Sequence, residues 1–91
     1  MYVSAVSVWE ISIKRATKKL QVPSRLFELL GDRGFVPLAV SWAHGFAAGE
    51  LPLHHRDPFD RMLVAQARLE GLTVVTRDPW IARYDVPVLA A

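Results

Sequence analysis

Apolar residues fall in short runs along the chain, separated by capping and turn residues. Tyr2-Val3-Ser4-Ala5 reads as a short buried strand. Ser7-Val8-Trp9-Glu10 then has the form of a capping box, with Ser7 as the cap and Glu10 in the first turn. Trp9, Ile13, Ala16 and Leu20 follow at helical spacing and predict one buried stripe. Ser24 caps a second helix with Leu26, Leu29 and Leu30 on its buried face and Gly31 as its stop. Phe35-Val36-Pro37-Leu38 reads as a second strand, at a sheet edge because of its proline. Ser41 opens a third helix bearing Trp42 and Phe46 four apart, with Gly49 near its end.

A loop from Glu50 to Arg56 leads to Asp57-Pro58, an N-cap followed by proline at the first helical position. Phe59, Met62, Leu63, Gln66, Ala67 and Glu70 mark the turns of that fourth helix, and Gly71 ends it. Leu72-Thr73-Val74-Val75-Thr76 is apolar enough for a strand covered on both faces. Asp78-Pro79 starts a short helix through Arg83, and Val86-Pro87-Val88-Leu89 is a last strand. The order β-α-α-β-α-α-β-α-β predicts an α/β domain with a parallel sheet flanked by helices.

Composition narrows the function classes. The 91 residues are 52% hydrophobic and 22% charged, too apolar for disorder and enough for one domain. No apolar run spans a bilayer and no signal peptide is visible, so the expectation is a cytoplasmic protein without membrane contact. Zero cysteines exclude disulfides, Fe–S clusters and thiolate zinc. The net charge of +2 does not by itself call for a polyanion, but Lys14, Arg15, Lys18 and Lys19 concentrate positive charge.

Three carboxylates are placed for chemistry. Glu10 and Asp78 follow strands one and three, at the strand ends where parallel sheets bind ligands. Asp60 lies in the first turn of the helix that Asp57 caps. Carboxylates gathered at one edge repel unless a hard cation such as magnesium or manganese lies between them. First-turn acids are also good capping residues in their own right, and both readings stay open on position alone. His54 and His55 fit a solvated loop better than a metal site, and His44 reads as a packing or surface residue. The basic run would contact phosphate only beside the acidic edge.

Several segments carry a family resemblance. Val3-Ser4-Ala5-Val6-Ser7-Val8-Trp9-Glu10-Ile11 resembles the second-strand motif of PIN-domain proteins, specifically the ribonuclease toxins of VapBC toxin–antitoxin systems. The stretch from His54 through Asp57-Pro58-Phe59-Asp60-Arg61 to Ala67 resembles that family's signature. Leu72 to Asp78 and Tyr84 to Leu89 continue in register. The resemblance implies a magnesium-dependent endoribonuclease, with manganese as an alternative ion, leaving 5′-phosphate and 3′-hydroxyl ends.

Carried over by position, Glu10, Asp60 and Asp78 are the catalytic and metal-binding acids. Asp57 and Thr76 support them, and Lys14, Arg15, Arg61 and Arg77 are candidate RNA contacts. Implied partners are RNA, a VapB-like antitoxin whose C-terminal segment enters the acidic cleft, and a second copy or a strand-completing partner. In this family a central first strand, carrying the first aspartate, precedes the motif that here begins at Val3. The expectation is therefore a partial PIN domain over residues 1–91. A late gene start, a truncated relative, or a strand supplied by a partner would each account for it. The strands at Tyr2 and Leu72 would then pair directly, be completed by another chain, or leave backbone groups unsatisfied. Such a chain is expected to cleave RNA poorly or not at all alone. The alternative is a non-catalytic PIN-like module that keeps its antitoxin-binding or self-association surfaces.

Overall fold

The computed structural model describes residues 1–52, 57–76 and 81–90, with Thr76, Ala82 and Ala90 described by their backbone alone. The predicted helix that Asp78-Pro79 would start therefore begins outside the described residues. The chain forms two compact units, Met1–Ala39 and Val40–Ala91.

The N-terminal unit contains β1 (Tyr2–Ser4), α1 (Ala5–Ala16), α2 (Leu26–Asp32) and β2 (Val36–Leu38). β1 and β2 pair in parallel, with Val3 opposite Pro37. Among the described residues Pro37 sits on a strand with one neighbour, where its missing N–H does little harm.

Helix α1 starts earlier than its sequence predicts. Ser4, not Ser7, is the N-cap, and its Oγ accepts the Val6 N–H at 3.1 Å. Three residues suffice for β1, so the first serine able to cap ends the strand. Glu10 thus lies in the second turn, where it pairs with Lys14 Nζ at 3.5 Å instead of closing a capping box. The predicted stripe is not buried: Trp9 is 61% exposed, and Ile13 and Leu20 are also exposed. Leu20 lies beyond the helix, which stops at Ala16.

Helices α1 and α2 close with the same backbone geometry. In α2 the Gly34 N–H reaches Gly31 O and the Phe35 N–H reaches Leu30 O, with Gly34 at φ +83°. Gly34, rather than Gly31, is therefore the stop. Ser24 is not the cap of α2, because the N-cap position falls on Arg25, which makes no side-chain capping bond. In α1 the Lys18 N–H reaches Arg15 O and the Lys19 N–H reaches Lys14 O, with Lys18 at φ +60°. This is the Schellman closure, which favours glycine at the left-handed residue. A lysine there carries steric strain of roughly 1–2 kcal/mol that glycine avoids.

The C-terminal unit contains α3 (Trp42–Glu50), α4 (Pro58–Glu70), β3 (Val74–Thr76), a 3₁₀ turn (Ile81–Arg83) and β4 (Val88–Ala90). Its core is Ala48, Leu51, Val64, Ala65, Ile81 and Tyr84, with Met62, Val74 and Val86 packed against it. Val64 to Ala67 are all buried, so α4 is enclosed on most of its circumference there. β3 and β4 pair in parallel, Val74 opposite Val88.

The described strands thus form two separate two-stranded parallel sheets rather than the single sheet expected. Val75 is 53% exposed, so β3 is not covered on both faces as its apolar run predicts. Trp42 and Phe46 likewise project from α3 and are exposed, Trp42 at 98%.

The Asp57-Pro58 start and the Gly71 stop of α4 match expectation. Asp57 Oδ1 accepts the Phe59 N–H at 2.9 Å, and Gly71 takes the left-handed conformation at φ +67°. Asp57→Ala is expected to lower unfolding free energy by about 1 kcal/mol, read from urea denaturation, while Asp57→Ser keeps most of it.

Candidate active site

Helix α4 presents two carboxylates at its N-terminal end. Asp57 is the cap and Asp60 stands three residues later, in the first turn. Residues three apart share a helix face, and the helix N-terminus favours ionised carboxylates there. One oxygen of Asp57 is occupied by the Phe59 N–H, which suits a supporting role. Asp60 is half-buried.

The next residue anchors this helix end. Arg61 Nη2 donates to Ala48 O at 2.9 Å and Leu51 O at 3.0 Å. Its Nη1 donates to Pro52 O at 3.0 Å and to the Tyr84 hydroxyl at 3.4 Å. At the end of α3 only a long Leu51 N–H bond of 3.4 Å reaches Ala48 O, and a planar guanidinium with several donors satisfies this carbonyl and those that follow together. Arg61 therefore ties the end of α3, the start of α4 and buried Tyr84 to one another. Its placement gives it a structural role at the acidic helix end. Neither this role nor that of Tyr84 is readable from the sequence, because the oxygens come from residues distant along the chain.

A second polar network joins the other ends of the same two helices. His44 Nδ1 accepts the Ser41 N–H at 3.0 Å, and the His44 N–H donates to Ser41 Oγ at 3.2 Å. The imidazole thus replaces the usual glutamate of a capping box. With Nδ1 accepting, Nε2 carries the proton and donates to Glu70 Oε1 at 2.7 Å. Gln66 Nε2 lies 3.4 Å from the same Nδ1. His44 is 3% exposed and fully engaged, a packing residue rather than an acid–base group.

The remaining described candidates belong to other elements. Glu10 is on α1 in the N-terminal unit, half-buried and paired with Lys14. Arg15 is exposed on the same helix. Thr76 is the last residue of β3, with its backbone opposite Ala90. Arg77, Asp78, His54 and His55 lie outside the described residues. Among the described residues no three metal-ligating side chains are grouped. Within the C-terminal unit the start of α4 brings together Asp57 and Asp60, Glu10 belongs to the other unit, and Asp78 lies outside the described residues. The donor chemistry of the whole predicted set is nevertheless uniform. Carboxylate oxygens without thiolates suit hard divalent cations.

The PIN domain family model matches residues 1–87. The chain belongs to the PIN domain family. Comparison with curated proteins and with solved structures gave no significant match. PIN domains are α/β folds, are generally nucleases and generally use divalent metal ions. In this PIN domain, no helix among the described residues is long and apolar enough to cross a membrane.

Proposed function

We propose that this PIN domain is a magnesium-dependent endoribonuclease of the VapBC-toxin type. The observation that carries the reading is Asp60, set on the first turn of a helix capped by Asp57, within a family match of residues 1–87. Glu10, Asp60 and Asp78 would hold the ion, with manganese able to substitute. When bound, such an ion lowers the pKa of water and neutralises phosphate charge. Asp57 fixes the helix end that carries Asp60. Thr76 supports the site from the end of β3, and Arg77 contacts phosphate.

A VapB-like antitoxin would silence the enzyme by occupying the acids, and self-association would use exposed apolar surface. The exposed Trp42 and Phe46 favour that second element. They also favour the alternative reading, a PIN module that binds partners without catalysis.

The test incubates the chain at high concentration with end-labelled single-stranded RNA in magnesium, manganese or chelator. Slow cleavage to 5′-phosphate and 3′-hydroxyl ends, abolished by chelator, supports the nuclease. Cyclic-phosphate ends insensitive to chelator overturn it. Metal binding without cleavage favours the non-catalytic module.

A further inference from the structure

The N-terminal unit carries an unbalanced charge. Met1–Ala39 holds six basic and three acidic side chains, a net charge of +3, whereas Val40–Ala91 holds five and six, a net of −1. The excess is concentrated where α1 ends. Lys14, Arg15, Lys18 and Lys19 are all exposed. Lys14 is paired with Glu10, but Arg15, Lys18 and Lys19 have no acidic partner among the described residues.

The backbone adds an independent observation. Three helices of the chain are followed by a left-handed residue, and at α2 and α4 that residue is glycine. At α1 it is Lys18, the only non-glycine residue with positive φ among those described. Left-handed residues other than glycine are uncommon, and strained backbone clusters at ligand-binding sites. Arg15 and Lys18 line one surface hollow, together with Leu20, Gln21 and Val22. The strained turn thus brings a lysine to the same recess as an arginine one helical turn earlier.

We infer that the end of α1 is a docking surface for the RNA backbone, with Arg15 and Lys18 holding phosphate in the hollow and Lys19 beside it. This rests on the RNA reading above and assigns the chain a binding surface at the end of the helix that also carries Glu10. RNA fits better than a lipid surface, because the cations border a recess containing a polar Gln21 rather than ringing a flat apolar face.

Binding of labelled single-stranded RNA is measured by fluorescence anisotropy in chelator, across a potassium chloride series, so that cleavage plays no part. Each phosphate contact contributes roughly −0.7 to the slope of log affinity against log salt for a single strand. Arg15→Ala combined with Lys18→Ala and Lys19→Ala should therefore flatten the slope by about 2 and weaken binding at least tenfold at low salt. Lys18→Gly separates function from folding. It relieves the backbone, so it should melt at or above the wild-type temperature while flattening the slope by about 0.7.

Unchanged affinity and slope in both variants overturns the proposal. Binding to phosphatidylserine vesicles with none to RNA does so as well. Normal salt-dependent binding by a chain that fails to cleave in magnesium leaves this surface standing and removes only the nuclease reading.

Discussion

Arg61→Ala should lower the melting temperature by about 10–20 °C, the largest stability loss expected from any single exposed-to-half-buried side chain here. Among the described residues the guanidinium donates to Ala48, Leu51, Pro52 and Tyr84. Hydrogen bonds to a charged group contribute about 1.5–3 kcal/mol each, though they do not add in full. Truncation also removes the guanidinium from the Leu51 carbonyl and leaves Ala48 O with only the Leu51 N–H, both in residues of the buried core cluster. A net loss of about 3 kcal/mol is large beside the roughly 5–14 kcal/mol expected for a chain of this length. Arg61→Lys should recover less than half, because an ammonium cannot reproduce the planar fork. Thermal unfolding followed by circular dichroism reads both variants. A shift under 2 °C for Arg61→Ala would remove Arg61 from its anchoring role.

Asp60→Asn should reduce magnesium-dependent RNA cleavage by about 10²–10³-fold, since metal stabilisation of the reacting phosphate is worth several kcal/mol and each 1.36 kcal/mol is tenfold. The substitution preserves shape and removes one charge. It also weakens the attraction with the N-terminus of α4, about 0.3–1 kcal/mol. Activity and stability therefore separate: cleavage collapses while the melting temperature falls by only a few degrees. Equal cleavage by Asp60→Asn and wild type would take Asp60 out of the reaction. A melting drop as deep as that of Arg61→Ala would make it a structural acid.

What the sequence revealed follows the range of each interaction. Asp57-Pro58 and Gly71 bracket α4 as expected because a cap is decided within one turn. The start of α1 differs from expectation for an equally local reason. A glutamate three residues after Ser7 points to that serine, but Ser4 caps first and Lys14 takes the Glu10 carboxylate. Arg61 was legible only as a basic residue beside an acid. Its oxygens come from 9 to 13 residues earlier and 23 later, beyond any periodicity. His44 was hidden differently, because an imidazole is not the expected third residue of a capping box. The apolar run ending in β3 overstated burial, since a two-stranded sheet leaves Val75 exposed.

The central claim is that Glu10, Asp60 and Asp78 serve one hard cation. A manganese titration followed by electron paramagnetic resonance tests it most directly, with magnesium as competitor. The account predicts one bound ion per chain, displaced by magnesium. Glu10→Gln, Asp60→Asn and Asp78→Asn should each weaken that binding at least tenfold, equivalent to about 1.4 kcal/mol. Three variants that bind manganese as tightly as the wild type would contradict it.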